Sequence, residues 1–181
     1  MSFLRFTKKP LPSYAFIPGK APHPLKSPDG HMYDEGEPEV EPLNRESWEE
    51  STPYLYSLDL LNAGYFWESH VWLEALWNAH DRRGPEAELF KGLIKIGAAG
   101  IKARMGSLSP AQGHLKRASE LFQKAFEELS QQTSEESPQL LGFSQRELQK
   151  TLDQTLEQLP DFVNDPHRTH RTFSPLAPLF P

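Results

Sequence analysis

Between Pro85 and Met105 the chain is apolar on nearly every side of a helical wheel. Leu89, Phe90, Leu93, Ile94, Ile96 and Ile101 point all round it, and Lys91, Lys95 and Lys102 make one narrow polar stripe. A helix without a broad polar face has to be enclosed by other elements. Gly92, Gly97, Gly100 and the alanines Ala98, Ala99 and Ala103 would weaken an isolated helix. They therefore predict places where neighbouring helices approach closely, ridge into groove. The stretch is expected to be the central, most buried helix of an all-α bundle.

The rest of the chain supplies the helices that enclose it. Thr52-Pro53 predicts the first, with threonine capping free N–H groups and proline in the first turn. Leu55, Leu58 and Leu61 give it an apolar face, and Gly64 supplies a left-handed stop. A second helix is expected from Tyr65 to about Ala79, followed by the turn Asp-Arg-Arg-Gly-Pro. Gly106 ends the central helix, and Ser109-Pro110 with Gln112 predicts a capping box opening the next. That helix carries Leu115, Ala118, Phe122, Ala125 and Leu129 on one face. Ser144 with Glu147 repeats the capping signal ahead of Leu148, Leu152 and Leu156, for a last helix ending near Leu159. The units around Gly64 and Gly106 are alike, but their spacing does not match a tetratricopeptide period of about 34 residues. The expectation is a compact bundle of about five helices built from two helical hairpins.

Proline sets the boundaries. Nine of the 17 prolines precede Tyr54, in a segment with no period of 2 or 3.6. Residues 1–52 therefore read as an irregular, Pro-rich and acidic N-terminal arm, 53–133 as the helical core, 134–160 as an additional helix and 161–181 as a Pro-rich C-terminal tail draped over the body. Tyr14 to Ile17 and Met32-Tyr33 can anchor the arm, while Asp34 to Glu50 is expected to stay solvated. His23 and His31 read as hydrogen-bonding groups, since two nitrogen ligands alone make no metal site.

Charge and composition narrow the partners. A net charge of −6 and a pI near 5.6 argue against a phosphate-backbone binder, so no nucleic acid is expected. No run approaches the roughly 20 apolar residues of a membrane span. The first residues are basic without an apolar stretch behind them, unlike a signal peptide. The absence of cysteine suits a reducing compartment, and a cytoplasmic location is the expectation.

The chemistry concentrates between Gly64 and Asp81, which hold three of the four tryptophans. Phe66, His70, Leu73, Glu74 and Trp77 share a helical face at roughly 100° per residue. His70 and Glu74, four apart, can touch, so the carboxylate fixes the imidazole tautomer and raises its basicity. The first reading is a buried polar pair that fixes helix docking. As a site, the pair offers a general base or two ligands for a divalent metal. Trp67, Trp72 and Trp77 read first as core, with at least one facing a groove.

Phe66, Glu68, His70, Leu73, Glu74 and Trp77, followed by Gly92-Leu93-Ile94 and the turn at Gly106, resemble the domain-of-unknown-function 309 family over roughly Leu55 to Leu129. Pro18-Gly19, Pro22-His23-Pro24 and Gly30-His31 are similar to the arm of its longer members. Val71 stands where the family often has an acid, and Lys91 and Lys95 where it often has glutamines. The resemblance implies a small all-helical fold and no particular reaction. Two functional expectations follow. The first is a non-enzymatic module binding a small molecule or a protein in a groove formed by Trp67, Glu68, Trp77, Lys91 and Lys95. The second is a metal-assisted hydrolase using His70 and Glu74 as catalytic or metal-binding groups, with histidines brought in by the arm.

Overall fold

A computed structural model describes residues 5–165 and 167–178, which form α-helices and short 3-10 turns with no β-strand. The helices are α1 (Thr52–Asn62), α2 (Phe66–Ala79), α3 (Gly84–Arg104), α4 (Leu108–Ser130) and α5 (Gln145–Asn164), and 3-10 turns span Arg45–Glu50, with a kink at Ser47, and Arg168–His170. Gly64 and Gly106 both take the left-handed conformation expected of them, with φ of 81° and 79°. The chain reverses there to pair α1 with α2 and α3 with α4.

The helix ends differ from expectation in informative ways. Ser51, not Thr52, caps α1, its hydroxyl accepting the Tyr54 N–H at 3.4 Å. The capping box expected at Ser109 and Gln112 does not form. The turn at Gly106 feeds the helix early, Ser107 takes the cap position, and Ser109 is already inside α4. At α5 the Ser144–Glu147 capping box is complete. That helix runs past its expected end at Leu159 and through Pro160 to Asn164. Proline forfeits one backbone hydrogen bond there. Burial of Leu159, Phe162 and Val163 extends the apolar line of Leu148 and Leu152 and offsets the loss.

Helix α3 is the centre, packed against α2 and α4 and touching α5. Its glycines are contact points. A Cβ on Gly92 would stand 2.6 Å from Cδ1 of Phe122 on α4, and one on Gly100 would stand 2.5 Å from the Phe66 ring on α2. The buried seam of α2 runs through Phe66, Ser69, Leu73 and Leu76. Ser69 is fully enclosed and donates to the Ser57 carbonyl at 2.9 Å, so a small hydroxyl lets α1 and α2 approach.

The arm and tail cover what the helices leave open. Buried polar side chains on the helices take up the backbone groups of these irregular segments, which have no ladder of their own. Asp59 on α1 accepts the N–H of Phe6 at 2.7 Å and of Thr7 at 2.9 Å, and the Thr7 hydroxyl at 2.7 Å. Glu68 on α2 accepts the Phe16 N–H at 2.8 Å. His80 accepts the Leu43 N–H through Nε2 at 3.0 Å. On the tail side, Asn62 donates to the Leu176 carbonyl and accepts its N–H, both at 2.8 Å. Arg104 joins the Gly64 carbonyl at 2.7 Å to the Arg171 carbonyl at 2.8 Å. The expectation that Asp34 to Glu50 stays solvated fails in its second half. Leu43 and Trp48 are in the core, and Arg45 pairs with Glu86 of α3.

Two outcomes are expected. Gly92→Ala should lower stability by about 1–3 kcal/mol through overpacking against Phe122, despite its better helix propensity. A urea midpoint that stays put or rises would contradict the close contact. Asp59→Ala should free the start of the arm, so that hydrogen exchange at Phe6 and Thr7 accelerates while amides of α3 stay protected. Unchanged protection at Thr7 would show that Asp59 is not the anchor.

Candidate ligand sites on the second helix

Helix α2 separates two cavities because the arm crosses it twice. On the outer side, Trp67, His70, Val71, Glu74, Ala75 and Asn78 form a groove of about 350 Å³ with Leu25 and residues 37–40 of the arm. His70 Nε2 lies 3.4 Å from Glu74 Oε2, and the two side chains are 34% and 50% exposed. The buried-pair reading is therefore corrected. His70 sits one residue beyond Ser69, and Ser69, being small, holds the seam position that a search for large apolar residues passes over. Partial burial lowers the His70 pKa, Glu74 opposes that shift, and the Lys95 ammonium adds to it. The imidazole is thus neutral at pH 7. Glu37 and Glu39 face the same groove, which makes its polar lining predominantly acidic.

On the inner side, Glu68 forms the floor of a cavity of about 250 Å³ shared with Lys9, His31, Glu35, Tyr56 and Trp72. Its carboxylate is 1% exposed. Oε1 accepts from Phe16 N–H and from His31 Nε2 at 3.1 Å, whereas Oε2 is buried with no hydrogen-bond partner. Burial raises the Glu68 pKa, and its own backbone N–H, the Phe16 amide and the His31 imidazole oppose that rise. His31 is held in turn by the edge of Tyr14, with ring centroids 4.6 Å apart.

The residues expected to act together are thus divided. Trp67, His70 and Glu74 share the outer groove, although Trp67 is also clamped by Phe16 and His23 at centroid distances of 5.5 and 5.1 Å. Glu68 belongs to the inner cavity. Trp77 lies apart from both, with Arg82 at 4.9 Å and Lys91 at 5.5 Å from its ring. Lys95 reaches His70 through its field. The arm carries His31 to Glu68 and sets His23 edge-to-face with Trp67. Among the described residues no group of three or more His, Asp or Glu side chains is arranged to hold a metal. Sequence reading missed Lys9, Tyr56 and Asp59. The available signal was a run of polar residues, Ser57, Asp59 and Asn62, in a helix otherwise rich in Leu and Tyr.

Residues 54–113 match the model of a family described as a domain of unknown function, DUF309. Over that segment the chain is similar to DUF309. No curated protein and no solved structure matches the chain. The matched segment spans α1 to α3 and the first turns of α4, so it contains Tyr56, Glu68, His70, Trp72 and Glu74. The arm residues that close both cavities lie outside that segment.

His80 gives the arm a pH dependence. Only a neutral imidazole can accept the Leu43 N–H. Burial places its pKa below the ordinary 6.5, with Glu86 opposing and Arg45 reinforcing the shift. Between the folded and unfolded values the unfolded chain binds more protons, so this contribution is whole above about pH 6.5 and is lost as pH falls below it. The Leu43 amide protection factor should drop on acidification through that window, and His80→Gln, whose amide oxygen still accepts, should flatten the dependence. A protection factor independent of pH would refute the assignment.

Proposed function

We propose that the DUF309 domain and its arm form a binding module for a small organic amine held in the outer groove of α2. The observation that carries this reading is the groove itself, in which an aromatic and aliphatic lining meets the half-exposed His70–Glu74 pair and the carboxylates Glu37 and Glu39. An apolar body packs on Trp67, Val71 and Val40, and a protonated amine donates to Glu74. Such a division between apolar lining and a few polar groups is the usual make-up of small-molecule sites. The acidic lining favours cations and opposes carboxylates. His70, uncharged at neutral pH, leaves the Glu74 charge available to the ligand.

The test compares 2-phenylethylamine with 3-phenylpropionate by titration calorimetry. The amine should bind and the acid should not. Glu74→Gln should weaken the amine about tenfold, in keeping with loss of a charge-assisted hydrogen bond. Val71→Trp, which fills the groove, should abolish binding with the melting temperature preserved. Protonation of His70 places a cation beside Glu74, and its pKa lies below the ordinary 6.5, so affinity should also fall as pH drops below about 6.5. Equal binding of the acid, or amine binding that survives Val71→Trp, would sink the proposal.

A further inference from the structure

The inner cavity already holds a cation. Tyr56 and Trp72 meet at 89° with ring centroids 5.5 Å apart. The Lys9 ammonium sits in that corner, 4.5 Å from the Trp72 centroid and 5.0 Å from that of Tyr56. Two aromatic faces around one ammonium are the recognition geometry for organic cations. The corner is held open independently of Lys9, because the Tyr56 hydroxyl donates to the Pro10 carbonyl at 2.8 Å. Glu68 and Glu35 also line the cavity, and their carboxylates favour a cation there. Lys9 lies in the exposed run Lys8 to Pro10 on a flexible stem, so it is a resident that can leave.

We infer that this cavity is a second binding site, for a small organic cation whose head replaces Lys9 against Tyr56 and Trp72. Lys9 acts as a tethered competitor. The apparent affinity for the free cation falls with the fraction of molecules in which Lys9 occupies the corner. This site is separate from the outer groove and does not depend on it.

The experiment uses the full chain and trimethylammonium, which carries one N–H, beside tetramethylammonium, which carries none. Binding is followed by ligand-observed NMR, in which ring currents of Tyr56 and Trp72 move the methyl protons upfield. Lys9→Ala should bind trimethylammonium about tenfold tighter than wild type, the gain expected if Lys9 fills the corner about nine-tenths of the time. Tetramethylammonium should gain from the substitution to the same extent, because the corner recognises the methylated cation through its two aromatic faces. Adding Trp72→Leu to Lys9→Ala should abolish the upfield shift, and Val71→Trp should leave it intact. Melting curves of each variant report whether the arm remains docked. Equal affinity of wild type and Lys9→Ala for the two probes, or loss of binding on Val71→Trp, would each overturn the inference.

Discussion

The structure depends on a desolvation constraint. Long stretches of irregular backbone lie against a helical body, and irregular backbone carries N–H and C=O groups that a buried surface must satisfy. Here the helices satisfy them with their own side chains. Asp59, Asn62, Glu68, His80 and Arg104 each face a segment of arm or tail and hold it by donors or acceptors that an apolar residue could not supply. This explains why α1 is buried from Tyr54 to Asn62 on all sides, although it is a helix on the flank of the bundle. Its outer faces are covered by chain that has no secondary structure.

The same arrangement creates the cavities. A neighbouring helix would pack along α2 continuously, ridge into groove. An extended arm crosses it at intervals and touches it only at anchors, leaving space between. The outer groove lies where residues 37–40 pass α2, and the inner cavity where Lys9 to Ser13 and His31 to Glu35 pass it. Anchor and cavity share a residue in Glu68. Its carboxylate secures the arm through Oε1 and lines the inner cavity.

Much of the helical body was legible because it rests on local signals. The all-round apolar helix, the stops at Gly64 and Gly106 and the cap at Ser144 each depend on residues a few positions apart. The sites were less legible for two physical reasons. A seam can be set by a small residue, and Ser69 shifted the buried face of α2 away from His70. Secondly, the partners of Glu68 and Asp59 lie far away in an aperiodic segment, where nothing in the spacing announces them. Polar residues inside apolar helices were the visible trace, and their density in α1 marks where covering chain was needed. Lys91 and Lys95, in contrast, follow the narrow stripe of α3 as read from the wheel, half-buried between neighbours.

The anchors also impose an order on assembly during synthesis. Each arm segment precedes its acceptor in the chain, Phe6 preceding Asp59 by 53 residues and Phe16 preceding Glu68 by 52. The arm therefore leaves the ribosome without a surface to dock on, and its amides remain hydrated until α1 and α2 follow. The tail meets the opposite situation, since Leu176 reaches Asn62 across 114 residues and arrives when the helices are already made. Translation thus presents one flank of the bundle with a waiting strap and the other with a late one, and the helices close between them.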